Sequence, residues 1–202
     1  MTLIQRLNIG LRRIPPWTLY FVGVIPLIWL FWLAATGGLG FEPIKELEHR
    51  LGELALQMLI VVLAIRPLYD RIGVNLMAFR RALGLVTFLY VFAHMLVWLV
   101  LDVGILSEIW ADILKRPYIT VGMASLVLMT PLAMSSNNLS LRKMGPKRWR
   151  LLHRLTYPAA FLGALHYVML ARGFQWEPLM YLGVVVLLLG LRLRLPRRSV
   201  VA

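Results

Sequence analysis

The chain of 202 residues contains no cysteine. That absence excludes disulfides, thiolate nucleophiles, iron–sulfur clusters, cysteine zinc sites and covalently attached c-type haem. Charge is scarce as well, with 15% Asp, Glu, Lys and Arg against 60% hydrophobic residues and a mean hydropathy of +0.75. Such a composition cannot cover a water-facing surface, so a multi-pass membrane protein is expected. Acids are the rarer sign, nine against twenty-two Lys and Arg, for a formal net charge of +13. In a soluble chain that excess points to nucleic acid; here the placement of the charges decides.

Taking ~20 apolar residues as the length that crosses a hydrocarbon core roughly 30 Å thick, six intervals qualify: 17–36, 51–68, 82–101, 118–134, 152–171 and 178–195. The first lies in the uncharged stretch 14–41 and the third between Arg81 and Asp102. The second contains Glu53, the fifth starts with His153 and Arg154, and the sixth ends among arginines whose stems can snorkel to the interface. The first interval exceeds the h-region of a signal peptide and no small-x-small cleavage site follows it, so it is expected to be retained.

Alternating sides sorts the charges. With both termini inside, that side holds Arg6, Arg12, Arg13, Arg66, Arg71, Arg80, Arg81, Arg142, Lys143, Lys147, Arg148, Arg150, Arg154, Arg192, Arg194, Arg197 and Arg198. The other side receives only Lys45, Arg50, Lys115, Arg116 and Arg172, with nearly all the acids: Glu42, Glu46, Glu48, Glu53, Asp102, Glu108, Asp112 and Glu177. Cytoplasmic segments collect Lys and Arg, so the expected architecture is all-α, a six-helix transmembrane bundle with both termini cytoplasmic. The positive charge then meets anionic lipid headgroups, and nucleic acid is not needed to explain it. The largest connections, 37–50 and 135–151, are too short for another domain, so residues 1–202 read as one. No internal repeat, low-complexity tract or inverted pair of broken helices is visible, which weighs against a transporter.

Ionisable groups within a span are functional candidates by default. His94 lies about twelve residues into the third span, ~18 Å from its cytoplasmic end at 1.5 Å per residue, and His166 lies similarly deep in the fifth. Both spans run from inside to outside, so the two imidazoles share a depth and can meet across the bundle. Axial ligation of a b-type haem is the chemistry most compatible with that pair. Phe92, Ala93, Gly163, Ala164 and Tyr167 offer ring contacts and clearance. An interhelical hydrogen bond is the ordinary alternative for each histidine.

His153 precedes His166 by thirteen residues, ~20 Å along a helix, so a second cofactor level is conceivable. Its counterpart on the third span, thirteen before His94, is Arg81, which stays protonated and is no iron ligand. Thirteen residues also make about 3.6 turns, so His153 and His166 do not share a face of an ideal helix unless Pro158 re-phases it. His49 belongs at the outer interface as a loop histidine, and Met95 and Met169 are packing residues before they are ligands. The run from Arg142 to Arg154 is a positive-inside anchor, with haem propionates or a flavin phosphate as further partners for its guanidiniums.

The stretch Gly37-Gly38-Leu39-Gly40 with Pro43, His49 and Gly52, the segment Arg116-Pro117-Tyr118-Ile119-Thr120, and Lys147-Arg148-Trp149 followed by Leu152, His153 and Tyr157 together resemble the MsrQ (formerly YedZ) family. These are the membrane haem subunits of bacterial periplasmic methionine sulfoxide reductases, within the ferric-reductase-like and NADPH-oxidase transmembrane domains. The resemblance covers essentially the whole chain. It implies a multi-pass bacterial inner-membrane electron conduit, fed by the quinone pool or a cytoplasmic flavin reductase. It further implies a periplasmic molybdopterin acceptor, MsrP, that repairs oxidised proteins. By position it makes His94 and His166 haem ligands and His153 the first histidine of the fifth span's pair. It also implies FMN, for which no phosphate-cradling glycine loop is present.

The expected function is therefore transmembrane electron transfer without a catalytic residue, with Glu42, Glu46, Glu48, His49 and Asp112 as a docking rim for the acceptor. A quinol-linked cytochrome b or ferric reductase with another acceptor, a small proton or metal transporter, and a cofactor-free scaffold are the rival readings.

Overall fold

A computed structural model describes residues 2–171 and 173–192. Arg172, Arg194, Arg197, Arg198 and the expected end of the sixth span at 195 lie outside the described residues. Among the described residues the protein is all-helical.

Helix α1 (Leu3–Arg13) starts at a capping box in which Thr2 and Gln5 exchange side-chain and backbone hydrogen bonds. Leu3, Leu7 and Leu11 share one face, none of its residues is buried, and Asn8 fastens the helix by bridging the Gly73 carbonyl and the Asn75 amide, each at 2.9 Å. Helix α2 (Thr18–Ala35) is uncharged and largely exposed, with Leu30 its one buried residue. Tyr90 donates its hydroxyl to the Gly23 carbonyl at 2.7 Å, and a Cβ at Gly23 would lie 2.6 Å from Val86, so glycine permits this approach.

Helix α3 (Pro43–Ile72) runs past the expected 51–68 at both ends. Pro43 pre-sets the first turn, and Gly73, at φ 82°, closes the last through its N–H to Leu68 and Tyr69. The charges that hide its first turns from a hydropathy reading pair along its surface, Lys45 with Glu42 and Arg50 with Glu46. Pro67 has no N–H to offer the Leu63 carbonyl. Arg192 supplies the donors instead, Nε to Leu63 at 3.1 Å and Nη2 to Val62 at 3.2 Å.

A 3-10 turn (Met77–Phe79) leads into α4 (Arg80–Leu96), which continues as a π-helical segment (Val97–Val103) ended by Gly104 at φ 67°. Then follow α5 (Leu106–Lys115), α6 (Pro117–Met134), α7 (Asn138–Leu152), a 3-10 turn (His153–Leu155), α8 (Thr156–Leu170) and α9 (Trp176–Gly190). Of these, α2, α3, the stretch Met77–Val103 and α6 are long and apolar enough to cross a membrane. With fifteen residues each, α8 and α9 are shorter than the spans expected for them. The segment ahead of the first span is itself helical, as α1, and two of the expected connections are partly so, as α5 and α7. Their amphipathic patterns carry enough charge to escape a search for uncharged runs.

Helices α3 and α4, and likewise α6 and α8, form the most extensive pairings. One core cluster joins α2, α3 and α4 through Leu30, Leu47, Leu51, Val86, Tyr90 and Val97. Another joins α3, α8 and α9 through Leu56, Leu63, Ala160, Ala164 and Val185. The fully buried Ala159, Ala160 and Ala164 let α8 approach its neighbours closely. The antiparallel order leaves an acidic end, where α3 and α6 begin, and a basic end carrying α1, α7 and the start of α4.

Candidate functional site

His94 on α4 and His166 on α8 come together in the half of the bundle nearer the acidic end, as their shared depth predicts. His94 Nδ1 lies 2.8 Å from the Glu48 carbonyl of α3, and His166 Nδ1 lies 2.7 Å from the Tyr118 carbonyl of α6. A carbonyl only accepts, so Nδ1 carries the proton in both rings and Nε2 keeps its lone pair. Among the described residues neither Nε2 has a hydrogen-bond partner. The ring centroids stand 6.2 Å apart. An imidazole nitrogen binds a first-row metal at about 2 Å with the ring centre about 1 Å beyond, so two rings flanking one ion stand ~6 Å apart.

The rings look into a chamber of about 1640 Å³. That exceeds the roughly 300–1,000 Å³ of ordinary small-molecule sites and leaves room for a macrocycle. Leu56, Leu59, Leu126 and Met129 give it apolar walls, and Gly163 and Tyr167 line it as expected. Phe92 turns outward instead, and Ala93 and Ala164 are buried in helix packing. Among the described residues no cluster of three or more His, Asp or Glu could hold a metal ion. Two imidazole nitrogens with no further protein donors beside them would suit a group that brings its own donors, as a porphyrin does. The residues present therefore fit a haem.

Glu53, the acid within the second span, also lines the chamber. Its carboxylate accepts from Gln57 Nε2 at 2.8 Å and the Tyr181 hydroxyl at 3.1 Å, which makes an acid at this depth tolerable. Glu42, Glu46, Glu48, His49 and Asp112 surround the chamber where it reaches the acidic end. His49 is exposed there, on the second turn of α3 rather than in a loop.

His153 is not brought to the chamber. Its Nε2 lies 3.2 Å from Ser135 Oγ, and its ring stacks on Trp149 with centroids 3.8 Å apart. The cleft beside it, about 230 Å³, is lined by Arg80, Arg150, Arg154 and Tyr157. The chain is not one helix from His153 to His166: α7 stops at Leu152, a 3-10 turn follows, and Pro158 sits in the first turn of α8. Arg81 donates to Asn138 Oδ1 at 2.7 Å, a positive charge near His153 rather than a partner ligand for it. Met95 lines the chamber, whereas Met169 is 38% exposed.

Histidine side chains alone did not disclose Gly52 and Gly122. A Cβ on Gly52 would lie 3.2 Å from His94 Nδ1, and one on Gly122 would lie 2.9 Å from His166 Nδ1. Each glycine is four residues after the carbonyl that its histidine uses. The sequence does not mark either carbonyl, so the spacing becomes visible only once the helices are paired.

An apolar helical bundle holding two opposed, neutral imidazoles over one large chamber defines a membrane protein of the cofactor-binding kind. Residues 50–164 match the family described as "Ferric reductase like transmembrane component". A protein-methionine-sulfoxide reductase heme-binding subunit MsrQ of Agrobacterium fabrum is 51% identical, over 89% of this chain and 84% of its own. The same-named proteins of Brucella anthropi and Brucella ovis are 47% and 46% identical, each over 89% of this chain and 82% of their own. No solved structure matches. The chain belongs to the ferric reductase like transmembrane family and, within it, to the MsrQ group.

Proposed function

We propose that this protein is the electron-transfer subunit of a methionine sulfoxide reductase system, holding one b-type haem between His94 and His166. The observation that carries this reading is the pair of proton-free Nε2 atoms facing one chamber from rings 6.2 Å apart. The names of the relatives, heme-binding subunits of protein-methionine-sulfoxide reductases, support it. Bound there, haem would supply reversible one-electron chemistry.

The chain's own residues hold and orient. The Glu48 and Tyr118 carbonyls keep the proton on Nδ1 and raise the basicity of Nε2. Leu56, Leu59, Leu126 and Met129 line the chamber beside the imidazoles and would shield a bound haem from water. Lys45, Arg50, Lys115 and Arg116 line the chamber at its acidic end, and they would serve propionates in competition with Glu42, Glu46 and Asp112, which pair with Lys45, Arg50 and Arg116. His153 has no imidazole facing it and is held by Ser135 and Trp149, so we assign it no haem. FMN, which the family resemblance also implies, is assigned no residues.

In this reading α2, α3, α4, α6, α8 and α9 are six spans of the bacterial inner membrane, with both termini and the basic end cytoplasmic. The bias of Lys and Arg between the two sets of connections supports that orientation. Electrons arrive from the quinone pool or a cytoplasmic flavin reductase and leave across the Glu42, Glu46, Glu48, His49 and Asp112 rim to a periplasmic molybdopterin reductase, MsrP. The family match also supports a second reading, a quinol-linked cytochrome or ferric reductase with another acceptor. Turnover of the reduced protein with a molybdopterin reductase against ferric chelates separates the two.

The test is a reduced-minus-oxidised spectrum and haem per polypeptide for detergent-purified wild type, His94→Ala and His166→Ala. A b-type spectrum lost in both variants is expected. A colourless wild type, made with ample haem, overturns the reading and favours the proton or metal transporter.

A further inference from the structure

The two histidines are equivalent in more than depth. Seventy positions separate Glu48, Gly52, Leu56 and Leu59 of α3 from Tyr118, Gly122, Leu126 and Met129 of α6, and all eight line the chamber. Seventy-two positions separate His94 and Met95 of α4, and Trp98 of the π-helical segment that continues it, from His166, Tyr167 and Leu170 of α8, and these line it too. The pairings α3 with α4 and α6 with α8 are the most extensive in the fold. Within each pairing the same three-part contact recurs: a first-helix carbonyl accepts from Nδ1, a glycine four residues later lies under the ring, and Nε2 is left to the chamber. Three of these seven matched pairs are identical, Gly52 with Gly122, Leu56 with Leu126 and His94 with His166, and they are scattered, so the repeat is one of register and escapes a search for repeated runs.

We propose that the chamber is built from two copies of one helix-pair unit, in which the glycine and the carbonyl one turn before it are the positioning elements that fix the imidazole. Gly52 with the Glu48 carbonyl serves His94, and Gly122 with the Tyr118 carbonyl serves His166. The physical requirement is the same twice. A ring that must donate to a helix backbone has to lie within van der Waals distance of that helix, and only a residue without Cβ leaves the space. At Gly122 a methyl group would come to 2.9 Å from Nδ1 and 3.1 Å from Cε1, closer than side-chain carbons tolerate, so the ring must turn and its bond to Tyr118 stretch. At Gly52 the same contacts are 3.2 Å, tight enough to shift His94 by less.

This proposal rests on His94 and His166 as ligands, and the experiment separates the two claims. Gly52→Ala and Gly122→Ala are purified beside wild type and the two histidine-to-alanine variants. Haem per polypeptide, the ferric electron paramagnetic resonance g values and the midpoint potential are measured for each. The expected result is haem retained in both glycine variants, with g values and potential displaced, more in Gly122→Ala than in Gly52→Ala. Haem retained by the histidine variants removes the ligand assignment itself. Haem lost there but unaltered signals in both glycine variants overturns the cradle and leaves the ligands standing. Should neither glycine variant accumulate, the nitrogen-15 spectrum of histidine-labelled, haem-free wild type decides. Nδ1-protonated tautomers for His94 and His166 are expected, and Nε2-protonated ones overturn the proposal.

Discussion

His166 and His153 sit thirteen residues apart on one arm of the chain, and their surroundings are opposite. His166 donates its Nδ1 proton to a backbone carbonyl and leaves Nε2 over a large chamber with apolar walls and a charged mouth. His153 turns Nε2 to a serine hydroxyl, covers a ring face with Trp149 and borders a small cleft rich in arginine. The difference teaches that depth nominates a membrane histidine, but the nitrogen left free and the volume it faces decide what it can bind. The acidic half of the bundle is built to hold something, and the basic end is built to hold itself together.

The largest effect separates these two histidines. His166→Ala is expected to lower haem per polypeptide by more than about tenfold, the scale on which even outer-shell changes move a bound metal group. His153→Ala should stay within about twofold of wild type by the same principle, and pigment analysis of membranes prepared in parallel measures both. Equal losses would erase the comparison. Arg192→Ala comes next, because it strips donors from the Leu63 and Val62 carbonyls behind Pro67. It should cost about 1–3 kcal/mol of stability, as for a part-buried acceptor left unmet, seen as a lower melting temperature in detergent with an unchanged haem spectrum. Ser135→Ala should cost less, about 0.5–1.5 kcal/mol, again without a spectral change. A shifted spectrum in that variant would mean that the basic end reaches the iron. Glu46→Gln breaks an exposed pair with Arg50 and should change stability by less than about 1 kcal/mol. Its expected effect is on turnover with the proposed periplasmic acceptor, and unchanged turnover removes Glu46 from the proposed docking rim.

Much of this was legible in the sequence. Uncharged runs located α2, α4 and α6 to within a few residues, because in lipid the absence of charge is itself the signal. The depth of His94 and His166 was legible because a helix rises at a fixed rate per residue. The ends of α3 were not, since charges that pair four residues apart look like a loop to a hydropathy window. The fate of His153 was not legible either, because it depends on Ser135 and Trp149 across a helix break whose angle no spacing fixes. The role of Gly52 and Gly122 lay between these cases, written in a register of seventy and seventy-two that becomes visible only once the helices are paired.

That register also sets a clock. Seventy-two residues separate the two histidines, so at a synthesis rate of about 5–20 residues per second His94 reaches the membrane on the order of ten seconds before His166. During that interval α3 and α4 present half a chamber, with one of its two imidazoles, to the surrounding membrane. If both histidines hold the haem, as proposed, its capture is tied to the completion of the chain, because only the arrival of α8 brings the second.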